Sequence, residues 1–419
     1  MTTADTHRTI ETVWKIEAPR LIAGLARMLR DVGQAEDLAQ EALVTALERW
    51  PTDGVPDNPG AWLMTTAKRR AIDQLRHNRM RNDKRAALEY EIGPEAMTHA
   101  PDHADSLDDD IGDDLLRLIF TACHPVLARD MQVALTLRML GGLTTPEIAR
   151  AFLVPEATVA QRIVRAKRTL AEKQVPFGVP RGAELAPRLA AVLEVVYLIF
   201  NEGHTATAGD DWARPTLCEE AMRLGRVLAG LAPREPEVHG LVALMEIQAS
   251  RLHARVAADG TPILLLDQDR ARWDRLLIRR GLAALERAEQ LDGAGGNYAL
   301  QAAIAACHAR AQRAHDTDWL RIASLYARLA EVAPSPVVEL NRAVAVSMAE
   351  GPEAGLRLVD ALQEVRALRG YHLLPSVRGD LLFKLGRLDE ARAEFERAAA
   401  LTGNARESEL LRQRAVACG

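Results

Sequence analysis

Apolar residues recur at helical spacing along almost the whole chain, which predicts helices in succession rather than alternating strands. Residues 8–50 carry Ile10, Val13, Trp14, Ile16, Leu21, Leu25 and Leu29, then Leu38, Ala42, Ala46 and Leu47. That pattern gives two helices broken near Gly33. The stretch PTDGVPDNPG (51–60) has too many prolines and glycines to continue a helix. A third helix is predicted over 61–85, with Trp62, Leu63, Ala67, Ala71, Ile72 and Leu75 inward. Leu116, Ile119, Phe120 and Cys123 open another helical core, continued by Val133, Leu135, Leu137 and Leu140.

Leu143 to Lys167 reads as two short helices around a tight turn. Ile148, Ala149 and Phe152 stripe the first; Val159, Ile163, Ala166 and Leu170 stripe the second. Thr144 and Glu147 have capping-box spacing, and Pro155 can open the second helix. The outer face of that helix carries Gln161, Arg162, Arg165 and Arg168. A helix-turn-helix has this pattern when its second helix enters a DNA major groove. An ordinary helical hairpin with a solvated basic face has it too.

Charge changes the picture. The net charge is -5, so nucleic-acid binding must come from local faces. The helix over 61–85 supplies one, with Lys68, Arg69, Arg70, Arg76, Arg79, Arg81, Lys84 and Arg85 against Asp73 and Asp83. Residues 86–114 invert the sign: carboxylates abound and Lys and Arg are absent, which marks an acidic linker. Its aspartates lack calcium-loop spacing. Such a polyanion between two basic domains would lie where nucleic acid otherwise binds.

The chain is 48% apolar and 4% aromatic, enough for packed cores of small and aliphatic residues. Cys123, Cys218, Cys307 and Cys418 form no CxxC pair, so neither a zinc knuckle nor a redox motif is indicated, and reduced thiols are expected. The adjacent Cys123 and His124 do not face each other on a helix, so no catalytic pair is assigned. There is no signal-peptide pattern and no apolar run of membrane-spanning length, so the expectation is a cytoplasmic protein without membrane partner, metal or cofactor.

Beyond the Pro/Gly-rich hinge at 176–188 lies a long helical half. Ala391, Phe395 and Ala398 repeat the spacing of Ala354, Leu358 and Ala361, and Tyr326 and Pro334 belong to a unit before that. A period near 34 is the tetratricopeptide signature, and such units stack into a solenoid whose concave face takes a protein or peptide. Two polar clusters stand out: Asn201, Glu202, His204, Asp210 and Asp211, then Asp267, Asp269, Arg270, Arg272, Trp273 and Asp274. They suit either a small-molecule or metal site, or the knitting of loops to helix ends.

In order, AEDLAQEALVTALERW (35–50), NPGAWLMTTAKRRAIDQLRHNR (58–79) and the helix-turn-helix resemble regions 2.2, 2.3–2.4 and 4.2 of extracytoplasmic-function RNA polymerase sigma factors. The strings YLIFNEGH, DQDRARWD, LQAAIAACHARA, DTDW and SPVVELNRAVAV resemble the subgroup with a C-terminal tetratricopeptide-like extension. Arg69 departs from the asparagine frequent in the family, and Pro155 from its polar cap residue.

The resemblance implies an all-α chain of two small helical sigma domains and a C-terminal α-solenoid. Region 2 would span 8–85, the acidic linker 86–114, region 4 115–178 and the extension 185–415. The chain would be no enzyme; it would bind core RNA polymerase and promoter DNA. Glu36, Asp37, Gln40 and Glu41 would meet the polymerase clamp, while Lys68, Arg69, Arg70, Arg76 and Asn58 would meet the −10 element. Glu156, Ala157, Ala160 and Gln161 would reach base edges at −35, with Thr158, Arg162, Arg165 and Arg168 on phosphates. Two other readings compete: a one-component regulator with a solenoid sensor, and an enzyme whose site is the 201–211 cluster.

Overall fold

The computed structural model describes residues 3–89, 111–152, 154–204, 215–257 and 263–419. The described residues form α-helices with short 3₁₀ turns and no strand, and the chain divides into two compact units, Met1–Val195 and Val196–Gly419. The acidic run 90–110 and the segment with Asp210 and Asp211 lie outside the described residues.

In the first unit, α1 (Thr3–Leu29), α2 (Val32–Asp53) and α3 (Pro59–Glu89) pack around Ile10, Trp14, Leu21, Ile22, Leu25, Leu38, Ala42, Ala46, Leu63, Ala67 and Ala71. The break between α1 and α2 falls at Asp31, two residues before Gly33. Asp31 caps α2 by accepting from the Gly33 and Gln34 amides at 2.8 and 3.0 Å. α2 then runs through Pro51 and stops at Gly54, whose φ of 88° suits only glycine well. Asn58 caps α3, accepting from the Ala61 amide at 3.0 Å. Trp50 and Trp62 meet edge to face at 5.4 Å and pin the end of α2 to the start of α3. Ile16, Leu47 and Ile72, expected inside, are 58%, 39% and 41% exposed, so the buried stripes are narrower than the periodicity implies.

α4 (Ile111–Ala122), α5 (Arg129–Met139), α6 (Thr145–Phe152) and α7 (Glu156–Glu172) complete this unit. The expected linker therefore ends in helix: Asp114 is buried in the first turn of α4, paired with Arg27 at 3.3 Å and Arg117 at 2.5 Å. Gln132 satisfies the loop carbonyls of Cys123 and His124. Burial pushes the Cys123 thiol up to about 11, which suits packing and not nucleophilic chemistry.

The second unit contains the end of α8 (Leu185–His204), then α9 (Pro215–Leu231), α10 (Pro236–Ala249), α11 (Arg275–Gln290), α12 (Asn297–Arg310), α13 (Trp319–Val332), α14 (Pro336–Glu350), α15 (Pro352–Leu362), α16 (Leu373–Lys384), α17 (Leu388–Leu401) and α18 (Ala405–Val416). From α9 onward each helix packs on the next, an α-solenoid of tetratricopeptide-like pairs. First helices start at Trp319, Pro352 and Leu388, and their partners at Pro336, Leu373 and Ala405, 32 to 37 residues apart.

Small residues allow the close crossings. A Cβ on Gly240 would stand 2.7 Å from the Ala299 backbone nitrogen. Ala391, Phe395 and Ala398 are buried as the repeat predicts. The preceding unit differs: it buries Gly355, Leu356 and Val359 rather than Ala354, Leu358 and Ala361, a shift in register.

Candidate nucleic-acid interface

The helix-turn-helix forms from its local signals. Thr144 and Glu147 make a reciprocal capping box: the Thr144 amide donates to Glu147 Oε2 at 2.7 Å, and the Glu147 amide donates to Thr144 Oγ1 at 3.3 Å. α7 buries Val159, Ile163, Ala166 and Leu170, the stripe read from the sequence. Pro155 sits at the cap position rather than inside the helix, and no side chain caps α7. Its carbonyl accepts from the Thr158 amide at 2.9 Å.

Most of the remaining α7 positions face outward. Glu156, Ala157, Ala160, Gln161, Arg165 and Arg168 are exposed, and Thr158 and Arg162 are half-buried. Arg162 pairs with Asp130 of α5 at 2.9 Å, and Arg168 with Glu172 one turn on at 2.6 Å. Arg165 has no ion-pair partner among the described residues.

On α3, Arg69 and Arg76 are exposed and Lys68 is half-buried. Burial, with repulsion from Arg27, draws the Lys68 ammonium below its ordinary pKa, a setting in which a nearby anion is favourable. Arg70 is differently placed: it donates to Glu41 and to Thr45 Oγ1, each at 2.9 Å. A residue expected on DNA thus grips one expected on the polymerase.

The acidic face of α2 departs most from expectation. Asp37 and Glu41 are exposed and Gln40 half-buried, with Val44 and Leu47 beside them. Glu36, expected on the surface, is only 4% exposed. Its carboxylate accepts from Arg138 Nε of α5 at 3.0 Å and from Lys167 Nζ of α7. Lys167 also reaches Asp37 at 2.9 Å. Burial works against the Lys167 charge, but Glu36 and Asp37 outweigh it and hold the pKa above the ordinary lysine value.

The helix-turn-helix is therefore latched onto the start of α2. Sequence reasoning missed Arg138 and Lys167; the available signal was a lone lysine bordering the apolar stripe of α7.

The polar clusters of the second unit separate. Asp269 and Asp274 cap the 3₁₀ turn Arg270–Arg272 and α11, respectively. Arg270 is buried and donates to the carbonyls of His308 and Ala311 and to Thr317 Oγ1. His204 stacks on Phe200 and touches Arg255. Among the described residues no group of acidic, histidine or cysteine side chains is placed to hold a metal ion, and no helix is long and apolar enough to cross a membrane.

Comparison with known proteins follows this division. Residues 14–81 match Sigma-70 region 2, residues 117–170 match Sigma-70 region 4, and residues 188–289 match a family of unknown function, DUF6596. An uncharacterised Rhizobium meliloti protein, R00370, is 45% identical over 94% of this chain and 92% of its own length. The ECF RNA polymerase sigma factor SigK of Mycobacterium ulcerans is 30% identical over 36% of this chain and 78% of its own. The probable ECF sigma factor SigI of Mycobacterium tuberculosis is 26% identical over 41% of this chain and 58% of its own. The crystal structure of yeast Tom70 aligns with 94% of the chain and 82% of its own at 11% identity and a TM-score of 0.32, too slight a likeness to carry an argument.

Proposed function

Because the chain belongs to the extracytoplasmic-function family of RNA polymerase sigma factors, we propose that it binds core RNA polymerase, recognises promoter DNA through two separate helical domains and starts transcription. The observation that carries this is the presence of both matched regions in one chain. Each presents outward cations: Arg69 and Arg76 on α3, Arg165 and Arg168 on α7. Region 2 corresponds to 8–85 and region 4 to 115–178, with the acidic linker between them and the extension at 185–415. The polymerase supplies the bond-making chemistry, and the chain works in the cytoplasm where the polymerase is.

In this reading Asp37, Gln40 and Glu41 face the clamp, as polar groups suited to a reversible interface. Lys68, Arg69 and Arg76 follow the backbone around the −10 element, with Asn58 beside the loop that receives an unstacked base. Glu156, Ala157 and Gln161 face base edges at −35; Thr158, Arg162, Arg165 and Arg168 meet phosphates.

Glu36 takes part only after Arg138 and Lys167 let go, and Arg70 reaches DNA only after leaving Glu41. The latched arrangement is thus a resting form that polymerase opens by competing for the start of α2. The extension regulates that opening.

The test is transcription in vitro with core polymerase on a pool of genomic fragments. Discrete starts that depend on the full chain are expected; their absence would overturn the reading. Lys167→Met should lower the concentration of protein needed for half-maximal polymerase binding. A regulator acting alone would instead retard duplex DNA tightly without polymerase.

A further inference from the structure

Beside the latch, within the first unit, lies a cavity of about 820 Å³, a volume typical of sites for small organic molecules. One wall is the corner between α1 and α2, with Arg30, Asp31 and Val32. The facing wall is the end of α7 and the chain just beyond it, with Leu170, Val175 and Phe177. Lys167, which makes the latch, lines the same space. The chain leaves both helices through a residue in the left-handed conformation, Arg30 at φ 56° and Gln174 at φ 49°, and both residues line the cavity.

The charged groups around this space have partners, with one exception. Asp31 accepts from the Gly33 and Gln34 amides and from the Gln34 side chain. Arg27 pairs with Asp114, and Lys167 with Glu36 and Asp37. The helix-end carbonyls are taken as well: Ala26 accepts from the Arg30 amide at 2.8 Å, and Leu170 and Ala171 accept from the Val175 and Gln174 amides at 3.0 Å each. The exception is Arg30. Its guanidinium is exposed and has no hydrogen bond or ion pair among the described residues. Gln174, exposed on the facing turn, adds a neutral donor. Apolar walls, one uncommitted guanidinium and one neutral donor suit an apolar body carrying a single carboxylate, which arginine meets with two parallel hydrogen bonds.

We propose that this cavity binds an amphipathic carboxylate, with its acid group on Arg30 and its apolar body against Val32, Leu170 and Phe177, and that this ligand holds the latch shut. The two walls come from opposite sides of the latch, so the site is complete only while Lys167 stays on Glu36 and Asp37. A ligand that binds one of two states shifts the population towards that state. Such a ligand therefore opposes polymerase binding. That effect rests on the latched arrangement being the resting form; binding to the cavity does not.

The experiment is calorimetric titration of the full chain with decanoate below micelle-forming concentrations, with decylammonium and acetate as controls at fixed ionic strength. A saturable heat with decanoate alone is expected. Arg30→Gln should weaken it about tenfold, the loss of a charged hydrogen bond. Ala171→Trp, at an exposed position on the α7 wall, should abolish it by filling the space, with the unfolding temperature near that of wild type. No saturable heat, equal binding of decanoate and decylammonium, or equal binding by wild type and Arg30→Gln overturns the site. Saturating decanoate should also raise the concentration of chain needed for half-maximal polymerase binding by roughly fivefold or more, and should leave Ala171→Trp unaffected. Decanoate that binds without this effect overturns the coupling to the latch. Lys167→Met tests the latch without ligand, so failure of the cavity and failure of the resting form are read separately.

Discussion

Two clusters, one in each unit, treat positive charge in opposite ways. In the first, Lys167 and Arg138 converge on Glu36, Asp37 adds a second carboxylate, and Arg27 and Arg162 have Asp114 and Asp130. In the second, Arg251 and Arg270 lie against an indole and donate to the Gln248 side chain, to the carbonyls of His308 and Ala311 and to Thr317, with no carboxylate at ion-pair distance among the described residues. A cation that brings its own counter-charge holds two pieces of one chain together and releases them when a competitor offers a better partner. A cation held by neutral acceptors, as Arg270 is by backbone carbonyls, has no charge to trade and stays where it is packed. The first arrangement makes a latch, the second a fixed joint between helices.

The largest expected effect breaks the paired side. Glu36→Ala leaves Arg138 and Lys167 buried without their shared carboxylate and should destabilise the first unit by about 3–5 kcal/mol. Denaturant unfolding, followed by hydrogen exchange in α2 and α7, measures it. A loss below about 1 kcal/mol would mean that the cluster is already solvated.

Acid probes the unpaired side. His308 has a folded pKa of about 4, below its ordinary value of 6.5. The unfolded chain therefore binds the proton first, and stability present above pH 6.5 is lost as pH falls towards 4. The loss should approach roughly 3 kcal/mol, and His308→Gln should flatten the profile. His204, pushed down by burial and then by Arg255 and Arg251, adds in the same direction.

The contrast sharpens with a matched pair of substitutions. Arg251→Met should be neutral or raise stability by about 1 kcal/mol, because a buried charge is removed and only the half-buried Gln248 side chain loses its partner. Lys167→Met, which strands Glu36 and Asp37 with only Arg138 remaining, should lower stability. If both move the same way, the distinction between the units fails.

The smallest effect is read on DNA. Arg165→Ala should reduce the salt dependence of promoter binding by about one unit of slope. Arg162→Ala should reduce it by less, because Arg162 must first leave Asp130.

What was legible in the sequence was whatever depends on neighbours a few residues away. The stripe Val159–Ile163–Ala166–Leu170 and the Thr144–Glu147 box both formed as read, because each closes within a turn or two of helix. Glu36 was placed on the surface because its helix neighbours Asp37, Gln40 and Glu41 are polar. Its partners Arg138 and Lys167 are 102 and 131 residues away, beyond any local pattern. The register between Leu356 and Leu358 was missed for a related reason: Gly355 admits Ser347 and Ala343 of α14 against the helix, which shifts the buried face. Arg270 and Trp273 are legible within DQDRARWD, whereas Arg251, which packs on the same indole, lies outside that string.

The latch has a further consequence when the protein is heated. Hydration of charged groups weakens with rising temperature, so the cost of keeping Glu36, Arg138 and Lys167 from water falls, while apolar packing gains little more per unit area. Warming short of unfolding should therefore favour the latched form over the open one. Promoter activity of the chain should then decline on warming before the fold does.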